Sequence, residues 1–96
     1  MRKHTGGSRV WTYPLPIDQA EFTLDLPEWS VVIHVAVQAG VPCLWVTCDP
    51  ERPTFAVPFC WVATGHEIPA DASGHLGTVQ LHDDALVLHL FMREMF

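Results

Sequence analysis

Histidine and cysteine are the residues of this chain best suited to chemistry: six histidines and three cysteines among 96 residues. Six imidazoles raise the question of a metal, which needs three or four ligands converging from short, regular spacings. Those spacings are missing. His75, His82 and His89 stand seven apart, and no H-x-x-x-H or C-x-x-C pattern occurs, so neither a metal nor another cofactor is expected. Cys43, Cys48 and Cys60 are odd in number and lie in apolar runs, which reads as reduced thiols buried as small hydrophobes. The most site-like loop is Thr64-Gly65-His66-Glu67. A glycine before a histidine at a strand end can set an imidazole on a sheet rim, with Glu67 as its electrostatic partner. A weak hydrolase built on His66 and Glu67 would need Thr64 or Ser73 as nucleophile. No G-x-S-x-G signature supports one, and no catalytic residue is expected. His34 and Trp45 form a second constellation, either flanking an aromatic ligand slot or anchoring a core or interface.

The elements that must carry these residues are strands. The dominant hydrophobic period is two, as in Phe22-Thr23-Leu24-Asp25-Leu26, and eight prolines spread from Pro14 to Pro69 forbid a long helix. Seven strands are predicted at about 9–14, 21–26, 30–38, 41–48, 54–63, 75–82 and 85–92. The expected architecture is all-β, a small antiparallel β-sandwich or barrel with at most one short helical turn, near Ile17–Ala20 or Pro69–Ser73. Residues 1–9 read as a flexible tail and 10–96 as a single domain. A hairpin turning at Ala39-Gly40 sets Val35 against Leu44, Ile33 against Val46 and Val31 against Cys48 on a core face, with His34 against Trp45 behind. A second, turning at Asp83-Asp84, pairs Val79 with Leu88 and Thr78 with His89. His82 falls opposite Ala85, so the three evenly spaced histidines are not expected to converge.

Strand 54–63 departs from this plan. Phe55, Val57, Phe59 and Trp61 share one face, and Ala56, Pro58, Cys60 and Val62 share the other, so both are apolar. Pro58 has no N–H for a ladder, which predicts an edge or bulged strand. A greasy edge needs a cover, and the ending around Phe91 is apolar as well. Phe55, Phe59, Trp61 and Phe91 are therefore the expected interface of a homo-oligomer, unless the same side chains simply fill the protomer's own core.

Charge narrows the partners. Arg2, Lys3 and Arg9 stand in the first nine positions, whereas the remaining chain sets only Arg52 and Arg93 against all eleven carboxylates. Such a body repels phosphate backbones, so nucleic acid is not an expected partner. No apolar run reaches the ~18 residues of a membrane span, and no hydrophobic segment follows the polar start. No membrane association and a cytoplasmic location are expected.

Several blocks carry a family likeness: Trp11-Thr12-Tyr13-Pro14-Leu15-Pro16-Ile17, Gln38-Ala39-Gly40-Val41-Pro42-Cys43-Leu44-Trp45, Thr64-Gly65-His66-Glu67-Ile68-Pro69 and Gly77-Thr78-Val79-Gln80-Leu81. Over roughly residues 10–92 the chain resembles a family of small uncharacterised bacteriophage and prophage proteins. The resemblance transfers no catalytic residues. It implies an accessory protein at work inside an infected bacterial cell. Three readings follow. The first is a non-catalytic phage accessory protein that self-associates and binds a host protein. The second is a protein that binds or sequesters a nucleotide signal, with His34, Trp45, His66 and Gln80 around a pocket at a subunit junction. The third is the hydrolase on His66 and Glu67.

Overall fold

Short runs of β-branched and aromatic residues, punctuated by proline and glycine, can satisfy their backbone groups only by pairing with each other. The computed structural model, which describes residues 8–95, shows seven strands. They are β1 (Arg9–Pro14), β2 (Glu21–Pro27), β3 (Val31–Gln38), β4 (Val41–Cys48), β5 (Thr54–Ala63), β6 (Ala72–Leu81) and β7 (Leu86–Arg93). All ladders are antiparallel and form two sheets, β1-β4-β3 and β2-β5-β7-β6. The fold is a small β-sandwich, without a helix among the described residues. Of the expected tail, residues 1–7 lie outside the described residues and Arg9 already belongs to β1. Among the described residues, no helix is long and apolar enough to cross a membrane.

The core fills the space between the sheets. Phe59, Leu44, Leu90 and Val46 are fully buried there. Phe22 stacks on Phe59 with ring centroids 5.6 Å apart and also meets Trp61. The indole N–H of Trp61 donates to the Pro16 carbonyl at 2.6 Å. That bond lets a buried indole keep its polar edge satisfied.

The expected edge position of residues 54–63 is wrong. β5 lies inside its sheet, between β2 and β7. Pro58 is tolerated because it pairs with Thr23 of β2, whereas the β7 ladder begins one residue later, at Phe59↔Met92. Its missing N–H thus falls where no neighbour on that side asks for one. From Phe59 to Val62 both faces of β5 are apolar because both are buried. Phe59 and Trp61 are core residues, not surface, and cannot belong to an interface of the folded protomer. Phe55 stays exposed and Phe91 half-buried.

The first hairpin has the expected two-residue turn, with Ala39 and Gly40 at φ 52° and 81°. Gln38 faces Val41, Val35 faces Leu44 and His34 faces Trp45. The register then slips between Val32 and His34, so Val32 faces Val46 and Val31 faces Thr47. The expected pairs Ile33–Val46 and Val31–Cys48 are thereby lost. Ile33 and Val31 become 52% and 57% exposed, and Val32 packs against the core instead. A bulge of this kind turns the alternate residues over. The second hairpin keeps the expected register, Val79↔Leu88 and Leu81↔Leu86, around Asp83 and Asp84 at φ 56° and 70°.

The two sheets come closest where β3 meets β6. A Cβ at Gly77 would lie 2.7 Å from Val35 Cβ, so only glycine fits there without a shift. β6 carries register slips between Ala72 and Gly74 and between His75 and Gly77.

Candidate functional site

The two outward faces of the sandwich are the places where function can reside. On the three-stranded sheet, the core side of β4 is Leu44, Val46 and Cys48. Alternation therefore turns Val41, Cys43, Trp45 and Thr47 outward, beside Val10, Thr12 and Pro14 of β1 and Val31, His34, Ala36 and Gln38 of β3. None of these side chains is a carboxylate, lysine or arginine. Val10, Val31, Ile33 and Val41 are exposed, and the His34 and Trp45 rings lie 5.3 Å apart at its centre. Cys43 is buried among them, and its thiol donates to the Val41 carbonyl at 3.5 Å.

The outward face of the four-stranded sheet is organised differently. The chain from Thr64 to Asp71 leaves β5 through a tight turn, with the His66 N–H donating to the Ala63 carbonyl at 3.0 Å. Gly65 takes φ +89° at its third position, the conformation a type II turn requires and glycine permits. The far end of this loop is clasped. Arg93 Nη2 lies 2.7 Å from Asp71 Oδ2 and Nη1 lies 3.4 Å from Glu21 Oε1, while the Glu94 N–H donates to the Asp71 carbonyl. The hydrogen bond from Arg93 holds the Asp71 carboxyl below its ordinary pKa. Cys60 and Val62, on the outward face of β5, are buried. Burial pushes the Cys60 thiol up in pKa, which leaves it protonated and poorly nucleophilic.

Between this loop and β6 runs a groove of about 290 Å³, with Val62, Phe91 and Ile68 as its apolar lining and His66, His75 and His89 among its polar groups. Here side chains from three strands and the turn meet. Thr64 Oγ1 shares a hydrogen bond of 2.8 Å with His89 Nε2. His89 Nδ1 shares one of 2.9 Å with Thr78 Oγ1. Thr78 Oγ1 is also 3.2 Å from His75 Nε2. The His75 ring meets the His89 ring at 6.1 Å and Phe91 edge-on at 5.3 Å. His75 and His89 therefore do converge, contrary to the sequence expectation, while His82 stays apart in the turn. The Thr78↔His89 pairing was legible; the slip after His75 that brings its ring back over Thr78 was not. Among the described residues no three His, Cys, Asp or Glu side chains are grouped to hold a metal ion.

The four expected ligand residues do not share one pocket. His34 and Trp45 lie on the uncharged face, His66 lines the groove, and Gln80 lines a shallow depression with Val35, Val37 and Thr78. The Thr64 hydroxyl is engaged with His89, not with His66. A third feature escaped sequence reasoning altogether. Trp29 holds φ 70° in the turn between β2 and β3, and the Arg52 guanidinium stacks over its ring at 4.0 Å. Arg52 also pairs with Glu28. A bulky residue at positive φ is uncommon, and no composition signal marks it.

No curated protein and no solved structure matches this chain. A family model described as a domain of unknown function, DUF7352, matches residues 7–95. With nearly its whole length spanned by that model, the chain belongs to the DUF7352 family.

Proposed function

We propose that this protein is a non-catalytic binding module that self-associates through the uncharged outward face of its three-stranded sheet. The observation that carries this reading is the contrast between that face and the rest of the molecule. The formal net charge is −6, so two copies repel each other wherever carboxylates come together. Val10, Val31, Ile33, Val41, Trp45 and His34 offer a surface whose own side chains carry no carboxylate, with Glu28 and Asp49 only at the end beside Val31 and Thr47. In a twofold pairing each protomer presents the same patch to the other. Three strands about 4.8 Å apart and about 24 Å long give roughly 340 Å² per protomer. That is below the ~600 Å² per partner of the smallest stable interfaces, so the dimer is weak and depends on concentration. The resemblance to bacteriophage and prophage proteins supports a role as an accessory protein that binds a host protein in the cytoplasm of an infected bacterium. A weak self-pair leaves the same face available to that partner.

Sedimentation velocity over a concentration series tests the pairing. The wild-type protein is expected to shift from monomer to dimer as concentration rises. Ile33→Asp, at an exposed bulge position, is expected to weaken dimerisation by about 2 kcal/mol or more, roughly thirtyfold, because it brings like charges together. A protein that stays monomeric throughout, or an Ile33→Asp variant that dimerises as well as wild type, overturns the reading.

A further inference from the structure

The groove on the opposite sheet bears on a different question. Its lining contains no Lys, Arg, Asp or Glu. Its Thr64, His89 and His75 are linked through Thr78 in one chain, Thr64–His89–Thr78–His75, by contacts of 2.8, 2.9 and 3.2 Å, with His66 beside them on the lining. Each hydroxyl has one proton, and each neutral imidazole has one. Proton counting leaves one arrangement in which both imidazoles donate to the Thr78 oxygen and both ends accept, beside two in which the bonds all run in one direction. In one of these two, the Thr64 O–H donates to His89 Nε2, the His89 Nδ1–H to Thr78, and the Thr78 O–H to His75 Nε2. The Thr64 oxygen then faces outward as an acceptor, and His75 Nδ1–H as a donor. In the other, every bond runs the opposite way. Thr64 then offers its O–H outward, and His75 Nδ1 offers a lone pair. In these two the ends are of opposite kind and exchange together, so the chain can offer a donor and an acceptor at once.

Such a site suits a ligand that is neutral and carries both a donor and an acceptor. An anion would find no lysine or arginine in the lining, and a cation would find no carboxylate. Phe91 with the edge-on His75 ring beside it, together with Val62 and Ile68, provides apolar contact for a flat ring. The volume of about 290 Å³ is at the small end of ligand pockets, which fits a single-ring molecule. We propose that this groove binds a small, planar, uncharged carboxamide or lactam, with the hydrogen-bonded Thr–His chain matching its donor and acceptor. The site is separate from the self-association face, so either proposal can fail without the other.

Nicotinamide is the probe, and benzoate, which has a ring of the same size but carries a carboxylate, is the control. The readout is the imidazole nitrogen–proton correlation spectrum of the full chain. Nicotinamide is expected to shift the His75 and His89 signals saturably, with a Kd of about 1 mM or tighter, and benzoate is expected to leave them in place. Thr78→Val, at an exposed position of β6, breaks the chain at its centre and is expected to weaken nicotinamide at least about fivefold. Thr64→Ala removes one end and is expected to do the same, which covers a Thr78 variant that folds poorly. Absence of saturable shifts, equal binding of benzoate, or undiminished binding by both variants would overturn the proposal.

Discussion

The two outward faces are made from the same antiparallel pairing and the same alternation, yet they are left in opposite states. The three-stranded sheet turns aliphatic side chains to solvent with nothing over them: Val10, Val31, Ile33 and Val41 are all exposed. On the four-stranded sheet, behind the clasped Thr64–Asp71 loop, Cys60 and Val62 are only 1% and 6% exposed. Apolar surface on a strand does not by itself reveal an interface. What decides is whether the chain's own loops return to cover it. The expected interface residues Phe59 and Trp61 lie under cover, while Ile33, expected in the core, does not.

The largest effect that can break this comparison is on folding. Phe59→Ala removes a fully buried ring from the core and is expected to cost about 3–5 kcal/mol in chemical denaturation. Phe55→Ala, at a 44% exposed position of the same strand, is expected to cost less than about 1 kcal/mol. Equal losses would mean that β5 is not divided between core and surface in this way. Gly77→Ala tests how closely the sheets approach. The added methyl meets Val35 Cβ, which is fixed to backbone and cannot swing away. A loss of about 1–3 kcal/mol is expected, and a neutral result would show that β3 and β6 separate easily.

The clasp that closes the covered face depends on pH. Asp71 is held below its ordinary range by its hydrogen bond to Arg93. A carboxyl depressed in the folded state contributes stability above its unfolded pKa of about 3.9, and that contribution disappears as pH falls through the lower folded value. Asp71→Asn is therefore expected to lower Tm at neutral pH and to converge with wild type in acid. If the clasp seals the loop, the same variant also makes Cys60 react faster with a maleimide at neutral pH. Unchanged labelling would separate the ion pair from the cover. The smallest effect concerns the open face. Ala39 holds φ 52° in the β3–β4 turn, a region that asparagine tolerates better than alanine. Ala39→Asn is expected to stabilise the fold by about 0.5–1 kcal/mol without altering the dimerisation constant.

Patterns read along the chain are enough for the fold class, for the seven strands to within about three residues, and for the registers around both hairpin turns. Each of these follows from local rules: a period of two, turn residues at Ala39-Gly40 and Asp83-Asp84, and prolines that stop helices. Those patterns do not determine which strands become neighbours. The missing donor of Pro58 points to an edge position for β5, and only the sheet order shows that β7 begins its ladder one residue beyond Pro58. Nor do they reveal the slips after Val32 and His75. A bulge is a compromise between pairing, twist and packing in three dimensions, so alternation continues through it unbroken when read along the chain. One slip put Ile33 on the surface and the other brought His75 to Thr78 and His89, so both candidate surfaces were decided by irregularities in the β3–β4 and β6–β7 ladders, away from the turns that local rules fix.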